Sequence, residues 1–511
     1  MFRSTARWPG RVVALVAGVA LAGAFAPLSW WWLAPLAVGV LLRLWRDAPS
    51  PREAAWLGFL FQAGTFTVGT WWLYVSIHGF GQAPVWIALL LMAALVAIMS
   101  GYQAGVGWAI ARWLPRSGPL GLLVAMPAAW LLVEWWRGWF LSGFPWLSLG
   151  YALSETPLAG LAPIGGVYGL IAVVLLMGGA LVLLEQRSVV ARVAAIAMLV
   201  LPWPIGLATT RVEWTHEDGP PVRVALLQGA VPQDMKWLES NADNILSLYA
   251  GLHEQALGED LVVWPESALP QVANDLTDYI GGIWSSARKA NTDVLMGVMR
   301  VEDDGVTVHN SLMGLAREDL PEFYDKHHLV PFGEYFPVPD FVRNWARLMS
   351  LPYSDFDAGP QVQPPLKAAG TTLSASICYE DAYGSAQLET VRHSELLVNV
   401  TNDAWFGRSS ARGLHFEIAR MRAIESRRFM LRAANDGITA VIDPRGRVVA
   451  QAPEFEPAVL RATVQPRSGD TPYLRFGNWP VLGLAALALL AVVGQRRWRA
   501  RPVAGNFVNG V

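Results

Sequence analysis

The sequence predicts a polytopic α-helical membrane domain of about eight spans joined to one α/β layered domain, and three observations carry that prediction. The first is composition: of 511 residues 53% are hydrophobic and only 16% charged, where a soluble globular domain carries roughly 25% charged residues. The second is segregation of charge. Residues 1–206 hold 11 Arg, no Lys and 5 acids, residues 207–478 hold 24 basic and 36 acidic side chains, and residues 479–511 hold four Arg and no acid. Net charge therefore runs +6, -12 and +4 along the chain, within a total of -2. The third is a change of pattern: long apolar runs give way after Arg223 to short β-rich runs separated by amphipathic stretches. These features exclude a disordered chain, a collagen-like repeat, a small disulfide-stapled fold and a basic nucleic-acid-binding domain.

A membrane-crossing helix needs about 20 mostly apolar residues. The candidate segments are 11–28, 30–45, 55–78, 86–110, 119–140, 166–185, 189–206 and 479–495; the second is short and the seventh carries Pro202 and Pro204. Arg3, Arg7 and Arg11 before an apolar run ending at Ala26 imitate a secretory leader, but Pro27 after the would-be cleavage point and the spans that follow predict retention. With the N-terminus in the cytoplasm, Arg43, Arg46, Arg52, Arg112, Arg116, Arg187, Arg192 and the tail arginines all fall at cytoplasmic ends, and only Arg137 lies near the opposite face. The predicted organisation is a seven-span domain over 1–206, a domain over 207–478 outside the cytoplasm, which in a bacterium is the periplasm, and a last span with a basic cytoplasmic tail over 479–511. Glu134 and Arg137, three apart among Trp135, Trp136 and Trp139, predict a structural ion pair at the interface in preference to a headgroup contact.

Within 207–478, residues 224–227, 261–264, 294–299, 311–315, 371–377 and 396–400 read as strands, several buried on both faces, and 236–258, 275–290, 381–391 and 413–430 as helices. The Pro-rich stretches 331–339 and 352–365 read as long ordered loops. Chemistry is usually mounted at the ends of buried strands, and three residues stand out there or in these loops. Glu266 follows a buried strand and Pro265; Lys326 opens the loop Lys326-His327-His328-Leu329-Val330-Pro331-Phe332-Gly333-Glu334; Cys378 ends a strand at a helix start, where backbone amides are expected to favour a thiolate. Taken singly, such residues are more often a helix cap, a solvated charge and a small buried hydrophobe. Together they are less ordinary, because Cys378 is the one thiol of a chain assigned to an oxidising compartment and Lys326 is one of four lysines. Adjacent His327 and His328, without CxxC or HExxH, predict no metal site, and no G-x-S-x-G elbow is present. The thiol is the best nucleophile, and it needs a base and a cation beside it.

The stretches Trp264-Pro265-Glu266-Ser267, Lys326 to Glu334 and Cys378-Tyr379-Glu380 resemble the nitrilase, or carbon–nitrogen hydrolase, superfamily with its Glu-Lys-Cys triad. With seven spans before them and one after, the whole chain resembles the apolipoprotein N-acyltransferase family of Gram-negative inner membranes. The resemblance implies an αββα sandwich and ping-pong transfer of an acyl chain from a phospholipid, with phosphatidylethanolamine the expected donor, to the α-amine of the N-terminal diacylglyceryl-cysteine of an apolipoprotein. By motif match Glu266 is the general base, Lys326 the cationic stabiliser and Cys378 the acylated nucleophile. Glu334, Tyr379, Glu380 and Trp237 would support them, as would Gly143, Phe144 and Trp146 of the family's Gly-Phe-Pro-Trp stretch. No metal, nucleotide or organic cofactor is required, and a monomer is expected. The alternative is a membrane-anchored amidase using the same triad on a periplasmic amide. A transporter would need paired charges at the bilayer midplane or inverted repeats, and the sequence offers neither beyond Glu134 and Arg137.

Overall fold

The computed structural model describes residues 7–316, 320–335 and 356–499, with backbone only at residue 7 and residues 496–499. Helices occupy each of the apolar segments: Arg7–Ala22, Leu33–Asp47, Pro51–Gly69, Val85–Trp113, Leu120–Arg137, Ala162–Leu183, the pair Val189–Val200 and Pro202–Thr210, and Trp479–Arg499. Among the described residues, four are long and apolar enough to cross a membrane: Val85–Trp113, Leu120–Arg137, Pro157–Leu183 and Val189–Thr210. Trp8–Ala22 and Trp479–Gln495 are apolar but shorter. The predicted third span, 55–78, breaks early. Its helix starts at Pro51, capped by Ser50 accepting the Glu53 amide, and ends at Gly69, with Arg52, Glu53, Gln62, Thr65 and Thr67 lowering its apolarity. In the seventh, Pro202 has no amide to donate, so one helix stops at Val200 and a second starts there.

The α/β part is built on strands β1 (His216–Glu217), β2 (Val222–Gln228), β3 (Leu261–Val263), β4 (Asp293–Val301), β5 (Val308–Leu315), β6 (Glu322–Asp325), β7 (Leu366–Ala368), β8 (Thr371–Ile377), β9 (Leu396–Thr401), β10 (Met430–Ala434), β11 (Ala440–Ile442), β12 (Val448–Gln451), β13 (Ala458–Val464) and β14 (Arg467–Ser468). Two six-stranded sheets have the orders β13-β2-β3-β4-β5-β6 and β12-β11-β10-β9-β8-β7, and β1 pairs β14 separately. Period-two alternation divides β2 between two cores. Val224 and Leu226 point to the layer between the sheets, with Val263, Leu373, Ile377, Val398 and Leu431. Ala225 and Leu227 point outward to helices Ala242–Ala256 and Thr277–Lys289. The second sheet is covered by helix Ala411–Ser426, whose Phe416 and Ala423 pack on Leu397 and Met430. The result is an αββα sandwich.

Helix Ala411–Ser426 is also the seam with the membrane helices. Its Leu414, Ile418, Met421 and Ile424 share one apolar core with Phe25, Leu41 and Leu170. Polar pins reinforce the seam: Ser154 donates to Glu417, Arg420 pairs with Glu155, and the Val167 amide donates to Glu425 at 2.7 Å.

Several predicted bounds are corrected. The helix expected over 381–391 is a 3-10 run over Cys378–Ala386 followed by Leu388–Arg392. The one expected over 413–430 stops at Ser426, because Arg427 turns left-handed (φ +56°) and Met430 enters β10. The one expected over 236–258 is split into Gln233–Lys236, Glu239–Asn241 and Ala242–Ala256. Strands β1, β6, β7, β10 to β12 and β14, of two to five residues, are too brief for alternation to register, and the seven-residue β13 (Ala458–Val464) also escapes the sequence reading. Of the Pro-rich loops, 336–339 and 352–355 lie outside the described residues.

Candidate active site

The site is assembled where β3, β6, β8 and β9 end together. Past β3 the chain turns through Pro265 to the buried Glu266, lying against Gly297 of β4. A Cβ there would sit 2.2 Å from the Pro265 carbonyl oxygen, so only glycine admits this approach. The Glu266 carboxylate faces donors alone: Oε1 accepts from Asn310 Nδ2 at 2.8 Å and Lys326 Nζ at 3.3 Å, and Oε2 from the Asn402 amide at 2.8 Å.

Lys326 follows β6 and its amide donates to the Asn310 carbonyl at 2.8 Å. Its buried Nζ lies between two carboxylates, 3.3 Å from Glu266 and 2.7 Å from Glu334. Burial works against the ammonium, but Glu266 and Glu334 outweigh it and hold Lys326 well above the ordinary lysine range. Glu334 is aimed by the Val330 amide (2.8 Å) and by Asn310 Nδ2 (3.2 Å), so one amide group serves both carboxylates.

Cys378 leaves β8 with φ +53°, a left-handed conformation unusual for a side-chain-bearing residue. The thiol interacts electrostatically with both Glu266 and Lys326. The expected thiolate is corrected here: burial raises the thiol well above its ordinary value, Glu266 adds to the rise, and Lys326 with a hydrogen bond to Thr401 only partly offset it. A 3-10 start aligns too few peptide dipoles to overcome that burial. The nearby Glu380 fastens the Lys326 loop to the Cys378 turn. Its Oε1 accepts the His327 and His328 amides at 2.7 and 3.0 Å, and its Oε2 accepts the Ile377 amide at 2.8 Å and the Tyr324 hydroxyl at 3.0 Å.

The membrane part supplies the opposite wall. The Gly143 carbonyl accepts from the Tyr379 and Tyr383 hydroxyls, both at 3.3 Å, and the Ser142 carbonyl accepts from Tyr383 at 2.8 Å. Trp146 stacks on Tyr379 with ring centroids 6.3 Å apart. Phe144 stands one layer back, against Phe66 and Trp146. Arg137 holds this loop in place: it pairs with Glu134 at 2.5 Å, and it donates to the Phe144 and Trp146 carbonyls at 2.5 and 3.1 Å. Trp237 is not brought against the triad. It is half-exposed, 5.3 Å from the ammonium of Lys236, whose Nζ reaches the Glu266 carbonyl at 3.4 Å. Sequence reasoning missed Asn310, Asn402, His415, Asp403 and Arg432. The first two had a visible signal, a polar residue within or just past a buried strand. The pairing of His415 and of Arg432 with Asp403 had none, since partners 12 and 29 residues apart leave no local pattern.

Comparison with known proteins is consistent from end to end. Residues 17–180 match the apolipoprotein N-acyltransferase N-terminal domain and residues 223–473 match carbon-nitrogen hydrolase. The apolipoprotein N-acyltransferase of Azotobacter vinelandii is 41% identical over 97% of each chain. That of Methylococcus capsulatus is 40% identical over 96% of each, and that of Pseudomonas putida 40% identical over 94% of this chain and 96% of its own. With nearly its whole length aligned at this identity, the chain belongs to the apolipoprotein N-acyltransferase family.

Proposed function

We propose that this protein moves an acyl chain from a membrane phospholipid, through a thioester on Cys378, to the α-amine of the diacylglyceryl-cysteine that begins an apolipoprotein. The class of reaction follows from the family; the steps and residue roles are our reading. The observation that carries it is the buried Lys326 ammonium shared by Glu266 and Glu334, with the Cys378 turn tied to the same loop by Glu380.

In the first half-reaction the neutral thiol loses its proton to Glu266 as Sγ attacks the ester carbonyl carbon. The oxyanion forms near Lys326 and the Tyr379 backbone amide, stabilisers each worth typically about 10²–10³ in rate. Collapse breaks the ester C–O bond, the leaving alcohol of the lysophospholipid takes the proton from Glu266, and an acyl thioester remains. In the second half-reaction the acceptor amine attacks the thioester, forms the amide and returns the proton to sulfur. Gly143, Phe144 and Trp146 form the membrane-side wall, and Glu334, Tyr379 and Glu380 hold the triad. Trp237 lies at the surface beside Lys236, a place suited to lipid contact.

The same reading has eight spans, the α/β domain over 207–478 in the periplasm of an inner-membrane protein, both termini cytoplasmic, phosphatidylethanolamine as donor and a monomer as the working form. Contact of the Cys378 turn with the loop after helix Leu120–Arg137 supports lateral entry of lipid from the bilayer, which also keeps water from the thioester. The test is intact mass after incubation with phosphatidylethanolamine. A hydroxylamine-labile acyl adduct on the wild type and none on Cys378→Ala is expected. No adduct on folded wild type with accessible lipid would overturn the reading and favour hydrolysis of an amide.

A further inference from the structure

Beside the Cys378 backbone lies a charged cluster that the proposed chemistry does not use. His415, on helix Ala411–Ser426, is fully buried, as are Asp381, Asp403 and Arg432. His415 Nδ1 is 2.8 Å from Asp403 Oδ1, while Nε2 is 3.1 Å from the Cys378 carbonyl oxygen and 3.3 Å from Asp381 Oδ1. Every one of these neighbours is an acceptor, so a neutral ring would set a lone pair against an oxygen; the geometry requires protons on both nitrogens. Arg432 closes the other side, with Nη2 3.0 Å from Asp403, Nη1 3.5 Å from Asp381 and Nη1 2.5 Å from Asn399 Oδ1. Asn399 Nδ2 in turn donates to the same Cys378 carbonyl at 3.2 Å. Trp146 and Phe406 cover the imidazole with centroids at 5.8 and 6.3 Å.

We propose that His415, as an imidazolium balanced by Asp403 and Asp381, is a positioning residue that clamps the Cys378 carbonyl and so holds the nucleophile in its left-handed conformation. This rests on Cys378 being the acylated residue. A peptide at φ +53° is disfavoured for an L residue, and it persists when surrounding contacts over-determine it. Two donors on one carbonyl do so here, and they also set the direction of the next amide, that of Tyr379. Burial and Arg432 push the His415 imidazolium toward losing its proton, yet Asp381 and Asp403 prevail and keep it titrating at about 9. Asp403 is held at about 2, despite burial, by His415 and Arg432. Above pH 9 the Nε2 proton is lost and a lone pair faces the carbonyl.

The experiment follows formation of the acyl-enzyme by intact mass, in single turnover with phosphatidylethanolamine in mixed micelles, from pH 6.5 to 10.5. The wild-type rate is expected to fall above pH 9, a range in which Lys326 keeps its proton. His415→Gln is expected to be about 10- to 100-fold slower at pH 7.5, the scale of a displacement near 1 Å, with the phospholipid KM unchanged and without the fall near pH 9. Asp403→Asn is expected to bring the fall to lower pH. A wild-type rate that holds through pH 10 overturns the proposal, as does a His415→Gln loss confined to KM or to the folded fraction. Should His415→Gln not fold, the wild-type profile and its displacement in Asp403→Asn decide the matter. If no adduct forms on the wild type at any pH, it is the thioester reading that has failed, and not the clamp.

Discussion

Replacing Glu380 by Gln tests the joint between the Lys326 loop and the Cys378 turn. The native carboxylate takes three backbone amides and one hydroxyl at 2.7 to 3.0 Å. A glutamine has one oxygen to offer in place of two. Its better orientation keeps that oxygen on the His327 and His328 amides and turns the NH₂ toward Tyr324 and Ile377. The Tyr324 hydroxyl can rotate to accept, but the Ile377 amide is left facing a donor. One buried amide without an acceptor costs about 1–3 kcal/mol, and the remaining bonds lose their charge assistance. Part of this is offset, because burial pushes the Glu380 carboxyl up and a neutral amide escapes that penalty. A net loss of about 1–3 kcal/mol remains, concentrated where the Lys326 loop meets the Cys378 turn. Displacement there by about 1 Å is enough for a loss of about 10² in rate. The assay pairs single-turnover acylation by phosphatidylethanolamine with thermal unfolding in detergent. Glu380→Gln acylating within about threefold of wild type, a difference under about 0.7 kcal/mol, would show that the joint does not align the triad.

Two further predictions address the carboxylates and the thiol. Asn310→Ala removes the neutral donor that Glu266 and Glu334 share, at 2.8 and 3.2 Å, and leaves them only Lys326 in common; it is expected to lower kcat by about 10-fold or more with little change in KM, and steady-state kinetics showing KM alone altered would count against the shared-donor role. Alkylation of Cys378 by iodoacetamide, read by intact mass, is expected to be slow at pH 7 and still climbing past pH 9, since burial and then Glu266 hold the thiol up, and to slow further in Lys326→Met; a plateau reached by pH 8 would mean a resting thiolate.

What the sequence made legible was whatever writes itself locally. Apolar runs marked all the apolar helices, and the continuous run Leu261 to Trp264 marked β3 because a strand covered on both faces has no polar alternation to hide it. Glu266, Lys326 and Cys378 could be singled out because each sits at or near the end of a strand or in a stiff Pro-rich loop, Glu334 entered only through the family resemblance, and the structure brings the four together. Trp237 was expected among them and stands apart at the surface. The charge state of Cys378 was misread for a physical reason: sequence shows the helix start but not the burial that dominates it. The clamp of His415, Asp403, Asp381 and Arg432 was invisible, since its members come from four elements and no spacing joins them.

The packing also argues that the site belongs to both halves of the chain. The hydroxyls of Tyr379 and Tyr383, which follow the nucleophile, find acceptors in the Ser142 and Gly143 carbonyls, and His328 Nε2 lies 3.2 Å from the Ser142 carbonyl. Those carbonyls are presented by a strained turn, with Leu141, Ser142 and Gly143 all at positive φ, which continues into the loop fixed by Arg137. Take the α/β domain away from the membrane helices and Tyr379 and Tyr383 lose partners, Trp146 no longer covers His415, and helix Ala411–Ser426 exposes Leu414, Ile418, Met421 and Ile424. Nothing then holds the wall that faces the thiol. The wall facing Cys378 is the membrane part itself, so under the proposed reaction the thiol is enclosed only where the two halves of the chain meet.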